Sequence, residues 1–290
     1  MKRKVNSSHH CNIPNGCLVI VGGAENKETI NKEDQELTGA TASVLAHFIN
    51  CCKKKAPRIE VISTAGEGDG KETFRKYEAS FKALGAPEVG HIHHKSRQEV
   101  NSEELKERIQ KADGVFMAGG DQLRLTSVYG GTAFLTDLKE AYLFDKLTIG
   151  GTSAGAMALS TPMIFGGTGK QEMIAGGVKV TTGMEFLKDV CIDTHFVHRG
   201  RFVRMSQVIA TNPACIGIGI EEDTAIIITE GLKGKVVGNG VVIIIDGIRS
   251  QSDNVMDTAE EKKVTIRNLE VSILAADELF EIPQRNPPHQ

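Results

Sequence analysis

No apolar run in the sequence is long enough to cross a membrane; the longest, such as GVVIIIDG at 240–247, are strand-sized. No block of Lys or Arg extends beyond Lys53-Lys54-Lys55, read as a solvated helix end, and a net charge of −3 is too small to draw a nucleic-acid partner. The N-terminal MKRKVNSSHHCNIPNG has basic residues but no apolar stretch behind them, which argues against a secretory signal. The six cysteines include no CxxC and only one adjacent pair, Cys51–Cys52, so they read as reduced thiols of a cytoplasmic protein. There is no linker rich in Pro or Ser, no repeat and no low-complexity tract. With 40% hydrophobic and 24% charged residues, 290 residues suit one globular domain. That domain is expected over 16–280, between a flexible N-terminal segment, 1–15, and a flexible tail, 281–290.

What is present is an alternation. CLVIV (Cys17–Val21) precedes a helical pattern that runs through Phe48; RIEVIS (Arg58–Ser63) precedes one ending near Leu84. EVGHIHH is followed by a helix from Asn101, with Glu104 placed as a capping-box partner, and then by GVFMAGG. A helix over Thr132–Phe144 leads to LTIGG. Short β-branched runs separated by helices predict an α/β fold, a mainly parallel sheet flanked by helices. The last third differs. IGIGI, TAIIIT, KVVGN and GVVIIID follow at short spacing, so the core is expected to end in antiparallel strands.

In such sheets the ligand site lies at the carboxyl ends of the strands. Three of those ends are glycine-rich: VGGAENK, FMAGGDQLR and IGGTSAGA. A nucleotide-phosphate reading fails. GGTGK (Gly166–Lys170) resembles the end of a P-loop, but Ile164 stands where its first glycine belongs and Gln171 where Ser or Thr belongs; no strand is followed by GxGxxG. Gly151-Thr152-Ser153-Ala154-Gly155, by contrast, matches the G-x-S-x-G nucleophile elbow in a strand–turn–helix context, with the Ala154 N–H free at the helix start to stabilise an oxyanion.

A nucleophilic serine needs a base. His9, His10 and His289 lie near the termini and His47 within a helix; His91, His93 and His94 have no matching Cys/Asp/His cluster beside them, and no metal is expected. His195 and His198 remain, in CIDTHFVHRGRFVR, and His195 at a strand end is the better placed. Arg199, Arg201 and Arg204 follow it, with no acidic residue between Thr194 and Ile220 to neutralise them. Arg201 and Arg204 would be i,i+3 neighbours at a helix N-terminus, where cations oppose the macrodipole unless an anion joins them. A solvated basic face is the bland alternative; the functional one is a serine hydrolase acting on a substrate with carboxylates. For the acid, Glu222 gives the order Ser–His–Glu, whereas Asp189 or Asp193 would restore the order of α/β-hydrolases. The residues alone leave this open.

Taken together, GCLVIVGGAENK, VFMAGGDQLRL, GGTSAGAMALS, IDTHFVHRGRFVRM and GIGIEEDTA resemble the cyanophycinases, S51 serine peptidases related to peptidase E, over roughly Gly16–Ile245. The resemblance implies a class I glutamine amidotransferase-like α/β fold, a homodimer, no cofactor, and release of β-Asp-Arg dipeptides from cyanophycin, multi-L-arginyl-poly-L-aspartate. It further implies Ser153 as nucleophile, His195 as base, Glu222 as orienting acid, and backbone N–H groups of Ala154 and Gly120 as oxyanion donors. Gln122, Asp193, Arg199, Arg201 and Arg204 match substrate-pocket positions, the arginines for aspartate carboxylates and Asp193 for the substrate's guanidinium. Two positions depart from the family pattern: Thr194, where Gln is frequent, and Glu221, at the head of a segment that commonly reads GIDED. A peptidase E-like dipeptidase and a catalytically silent binder of acidic peptides are the competing readings.

Overall fold

The computed structural model describes residues 13–25, 43–167, 173–252, 254–255 and 262–285. Eight strands form the larger sheet, in the order Leu279–Glu281 (β18), Lys233–Gly238 (β13), Thr224–Thr229 (β12), Cys17–Val21 (β1), Thr148–Thr152 (β5), Gly114–Met117 (β4), Arg58–Ile62 (β2) and Glu88–Ile92 (β3). From β1 to β3 the pairs are parallel; β12, β13 and β18 add on antiparallel. The six-stranded second sheet runs Glu270–Leu274 (β17), Val242–Asp246 (β14), Ile216–Ile220 (β11), Val190–Thr194 (β10), Ser160–Thr161 (β6) and Leu187–Lys188 (β9). Met163–Gly167 (β7) pairs with Val178–Thr181 (β8), and Gln251–Ser252 (β15) with Ile266–Arg267 (β16).

Residues of β1 alternate between two cores, as the period of a strand requires. Val19 and Val21 pack under the helices Val44–Cys51 (α1) and Lys71–Ala83 (α2), against Phe48, Tyr77 and Phe81. Leu18 and Ile20 face the opposite core, shared with Ser102–Lys111 (α3), Gln122–Tyr129 (α4), Ala133–Phe144 (α5) and the inner face of the second sheet, which supplies Ile192, Ile218 and Val242. Asn101 caps the start of α3, its carboxamide oxygen accepting from the Glu104 N–H, while the Glu104 carboxylate lies toward Arg108. Phe202–Thr211 (α7) covers the outer face of the second sheet through Met205, Val208 and Ile209.

The strands of the last third do not form one antiparallel sheet of their own. β11 and β14 join the second sheet, whereas β12 and β13 join the first. The crossover is the short turn Glu221–Asp223, with Asp223 at φ 48°, which moves the chain between sheets in three residues. The expected tail, 281–290, begins docked: Ile282 is buried and donates its N–H to the Leu232 carbonyl, and Arg285 pairs with Asp246. Residues 286–290 and 1–12, with His9, His10 and Cys11, lie outside the described residues, as do Thr168–Lys170 of GGTGK.

Candidate active site

The glycines after β1 tie the site together. Ser153 donates its N–H to the Val21 carbonyl (3.2 Å), His195 to Gly22 (2.8 Å) and Asp223 to Gly23 (2.9 Å). One short segment therefore holds the ends of β5, β10 and β11 against one another, and the two sheets meet here. Gly23, at φ 101°, leaves no room for a side chain: a Cβ there would lie 2.4 Å from the His195 ring.

Ser153 itself has φ 50° and ψ −116°, a conformation that costs a non-glycine residue energy and that an elbow imposes between β5 and the short helix Ala154–Met157 (α6). Small neighbours are needed because the elbow is pressed onto β4: a Cβ on Gly155 would stand 2.2 Å from the Met117 carbonyl oxygen. These small residues let a strained turn sit flush against the adjacent strand.

The serine hydroxyl lies 3.0 Å from Nε2 of His195, and His195 Nδ1 lies 2.5 Å from Glu222 Oε1. A carboxylate acceptor at Nδ1 places the proton there and leaves Nε2 to accept from the serine. The hydrogen bond from His195, supported by the nearby charges of His198 and Arg199, holds the Glu222 carboxyl below its usual range, so it stays ionised opposite the imidazole. Asp189, the alternative acid, sits just before the first residue of β10, six positions before His195 and at the other end of that strand. The Glu221 carboxylate accepts from the Val197 and His198 N–H groups (2.6 and 3.1 Å) and so shapes the loop that follows His195.

Ala154 is the first residue of α6, where an N–H has no intrahelical acceptor, and Gly120 follows β4 at φ 144°. Both line a cavity of about 170 Å³ that opens on Ser153, together with Gln122, Arg199, Arg201 and Arg204. Gln122 donates its amide to the Ile164 carbonyl (2.7 Å), which pins β7 over the cavity.

Asp193 corrects the sequence expectation. Its carboxylate is fully buried and already holds two arginines: Arg201 Nη1 at 2.9 Å, Arg204 Nε at 2.5 Å, and Arg204 Nη2 as well. It is the anion that the helix start required, and it is not available to a guanidinium from outside. Arg201 also donates to the Thr194 carbonyl (2.7 Å), so residue 194 contributes through its backbone. Arg201 and Arg204 share one carboxylate, so the wall they form carries an excess of positive charge.

A buried acid that the sequence reading passed over borders the serine from another direction. Glu25 accepts from Tyr77 and, at 2.6 Å, from Thr152 Oγ1, one residue before Ser153. Burial and the Glu25 charge push the Tyr77 phenol well above its usual range, fixing it as the donor. Its only signal was position, within VGGAENK at a strand end. His91, His93 and His94 are engaged elsewhere: Ser63 Oγ lies between His91 Nε2 (2.7 Å) and His93 Nδ1 (3.0 Å), and His94 meets Tyr129. Among the described residues no three His, Cys, Asp or Glu side chains are grouped to hold a metal, and no helix is long and apolar enough to cross a membrane.

Residues 32–235 match peptidase family S51. The chain belongs to that family. It is 31% identical to a cyanophycinase of a Nostoc species over 268 residues, covering 92% of this chain and 86% of that protein. It is 28% identical to a cyanophycinase of Geminocystis herdmanii over 275 residues, covering 93% and 95%. The crystal structure of a peptidase from an acI-B1 actinobacterium superposes with a TM-score of 0.63 at 20% identity, covering 93% of this chain and 98% of that one, which shows a shared fold. As an S51 member the chain is a serine-type peptidase.

Proposed function

We propose that this S51 peptidase is a cyanophycinase, cleaving multi-L-arginyl-poly-L-aspartate to β-Asp-Arg dipeptides with Ser153, His195 and Glu222 as its triad. The observation that carries the reading is the cationic cavity opening on Ser153, lined by Arg199, Arg201 and Arg204, in a chain whose S51 relatives over nearly its whole length include cyanophycinases. Each unit of that polymer carries a free arginine carboxylate, and guanidinium forks bind carboxylates in bidentate fashion.

Ser153 Oγ attacks the peptide carbonyl while His195 Nε2 takes its proton, and the Ala154 and Gly120 N–H groups receive the oxyanion. The imidazolium, stabilised by Glu222, then protonates the departing amine. Water repeats the sequence on the acyl-enzyme, restoring the serine. A homodimer in the cytoplasm is part of the same proposal, and sedimentation of the purified protein tests the first half.

Incubation with insoluble cyanophycin, followed by mass spectrometry of the supernatant, should show β-Asp-Arg as the main soluble product. Untouched polymer together with cleavage of short Asp-containing dipeptides would make a peptidase E-like dipeptidase the better reading. Unchanged polymer and peptides would leave a silent binder. Glu222→Gln should lower kcat by on the order of a hundredfold to ten-thousandfold with little change in KM, because it removes orientation and stabilisation of the imidazolium. Asp189→Asn should be nearly silent, and the reverse pattern would overturn the choice of acid.

A further inference from the structure

A second cavity, about 280 Å³, opens on Ser153 and shares no other lining residue with the arginine-lined one. Its walls include His195, Glu25, Tyr77, Thr73 and Lys76. The two cavities also divide the catalytic groups between them. Ala154 and Gly120 line the first; the His195 ring lines the second.

That division has a chemical consequence. At a tetrahedral centre on Ser153, the oxygen points toward the oxyanion donors and the departing nitrogen toward the imidazolium that must protonate it. The acyl fragment then lies on the arginine side, and the fragment that leaves lies on the His195 side.

Charge follows the same division. Among the described residues no carboxylate lines the arginine cavity, and Asp193 behind it is committed to Arg201 and Arg204. A guanidinium on the substrate is repelled there. In the second cavity Glu25 is a buried carboxylate, oriented by Tyr77 and Thr152, and a carboxylate oxygen accepts more than one hydrogen bond. Lys76, largely exposed and paired with Glu72 at 2.8 Å, sits at the rim. An anion inside and a cation at the mouth complement a fragment carrying one guanidinium and free carboxylates.

We infer that this second cavity is the leaving-group subsite, in which Glu25 takes the guanidinium of the β-Asp-Arg unit being released and Lys76 meets one of its carboxylates. The assignment rests on the cyanophycin reading of the substrate. Glu25 is thus a specificity residue, and Tyr77 and Thr152 are its positioning partners.

The test uses two-unit β-Asp-Arg peptides in which citrulline, the neutral isostere of arginine, replaces arginine in either the released or the acyl unit. For the wild type, citrulline in the released unit should lower kcat/KM by about tenfold to a hundredfold, the loss typical of one charge-assisted contact. Glu25→Gln should bring that ratio close to one, which a general structural defect would not do, since it would lower both substrates alike. If Glu25→Gln does not fold, Lys76→Ala at the exposed rim should still raise KM about fivefold while labelling of Ser153 by a small neutral acylating probe is unchanged. Cleavage without discrimination in the released unit, or discrimination confined to the acyl unit, overturns the subsite alone. Wild-type protein that leaves every peptide and the polymer uncut overturns the substrate reading and the subsite with it.

Discussion

Ser153→Ala should fold as the wild type does, fail to take a covalent acylating label, and lose on the order of a millionfold in kcat, the scale seen when a triad nucleophile is removed. The fold is expected to survive because the change deletes one hydroxyl, whose hydrogen bond to His195 contributes only about 1 kcal/mol net. The positive φ at position 153 is no worse for alanine than for serine, since both carry a Cβ. Far-UV circular dichroism and a thermal melt alongside the assay separate the two effects. A trace of turnover should persist from the oxyanion donors and from binding. Near-normal hydrolysis by a folded Ser153→Ala protein would end the assignment of the nucleophile.

Much of this architecture was legible in the chain. The apolar runs from CLVIV to LTIGG become the parallel half of the larger sheet, because strands buried on both faces carry few polar residues. Ser153 announced itself through its small neighbours, and those neighbours are required by contact with β4. What stayed hidden was set by distance in sequence. The split of the last strands between two sheets depends on a three-residue turn at Glu221–Asp223 and on the Asp223 hydrogen bond to Gly23, 200 positions earlier. Glu25 looked like one acid in a polar loop; only folding brings Tyr77 and Thr152 to it. The neutralising acid for the arginines was missed for a simpler reason. Reading forward from Thr194 meets no acid before Ile220, and the partner is the residue just before, Asp193.

Asp193→Ala should be more damaging than Arg201→Ala or Arg204→Ala. With the carboxylate gone, two guanidinium groups at the start of α7 face each other and a helix N-terminus without an anion. Removing one partner of a buried ion pair typically costs about 3–5 kcal/mol, so the melting midpoint should fall by several degrees. Loss of either arginine leaves Asp193 paired with the other and should cost less stability. In activity, each single arginine change should lower kcat/KM on β-Asp-Arg oligomers by about tenfold to a hundredfold, one charge-assisted contact's worth. Asp193→Ala should match or exceed that by releasing both arginines from position. Labelling of Ser153 by a small neutral probe, which needs no carboxylate contact, should stay near normal in every variant that remains folded. The diagnostic measurement is the double variant: Arg204→Ala placed on Asp193→Ala should cost markedly less than Arg204→Ala alone, since residues in one network are not additive. Strict additivity would show that Asp193 does not position the arginines. Oligomer cleavage unaffected by all three changes would reduce the cluster to a solvated face, and the dipeptidase reading would then fit better.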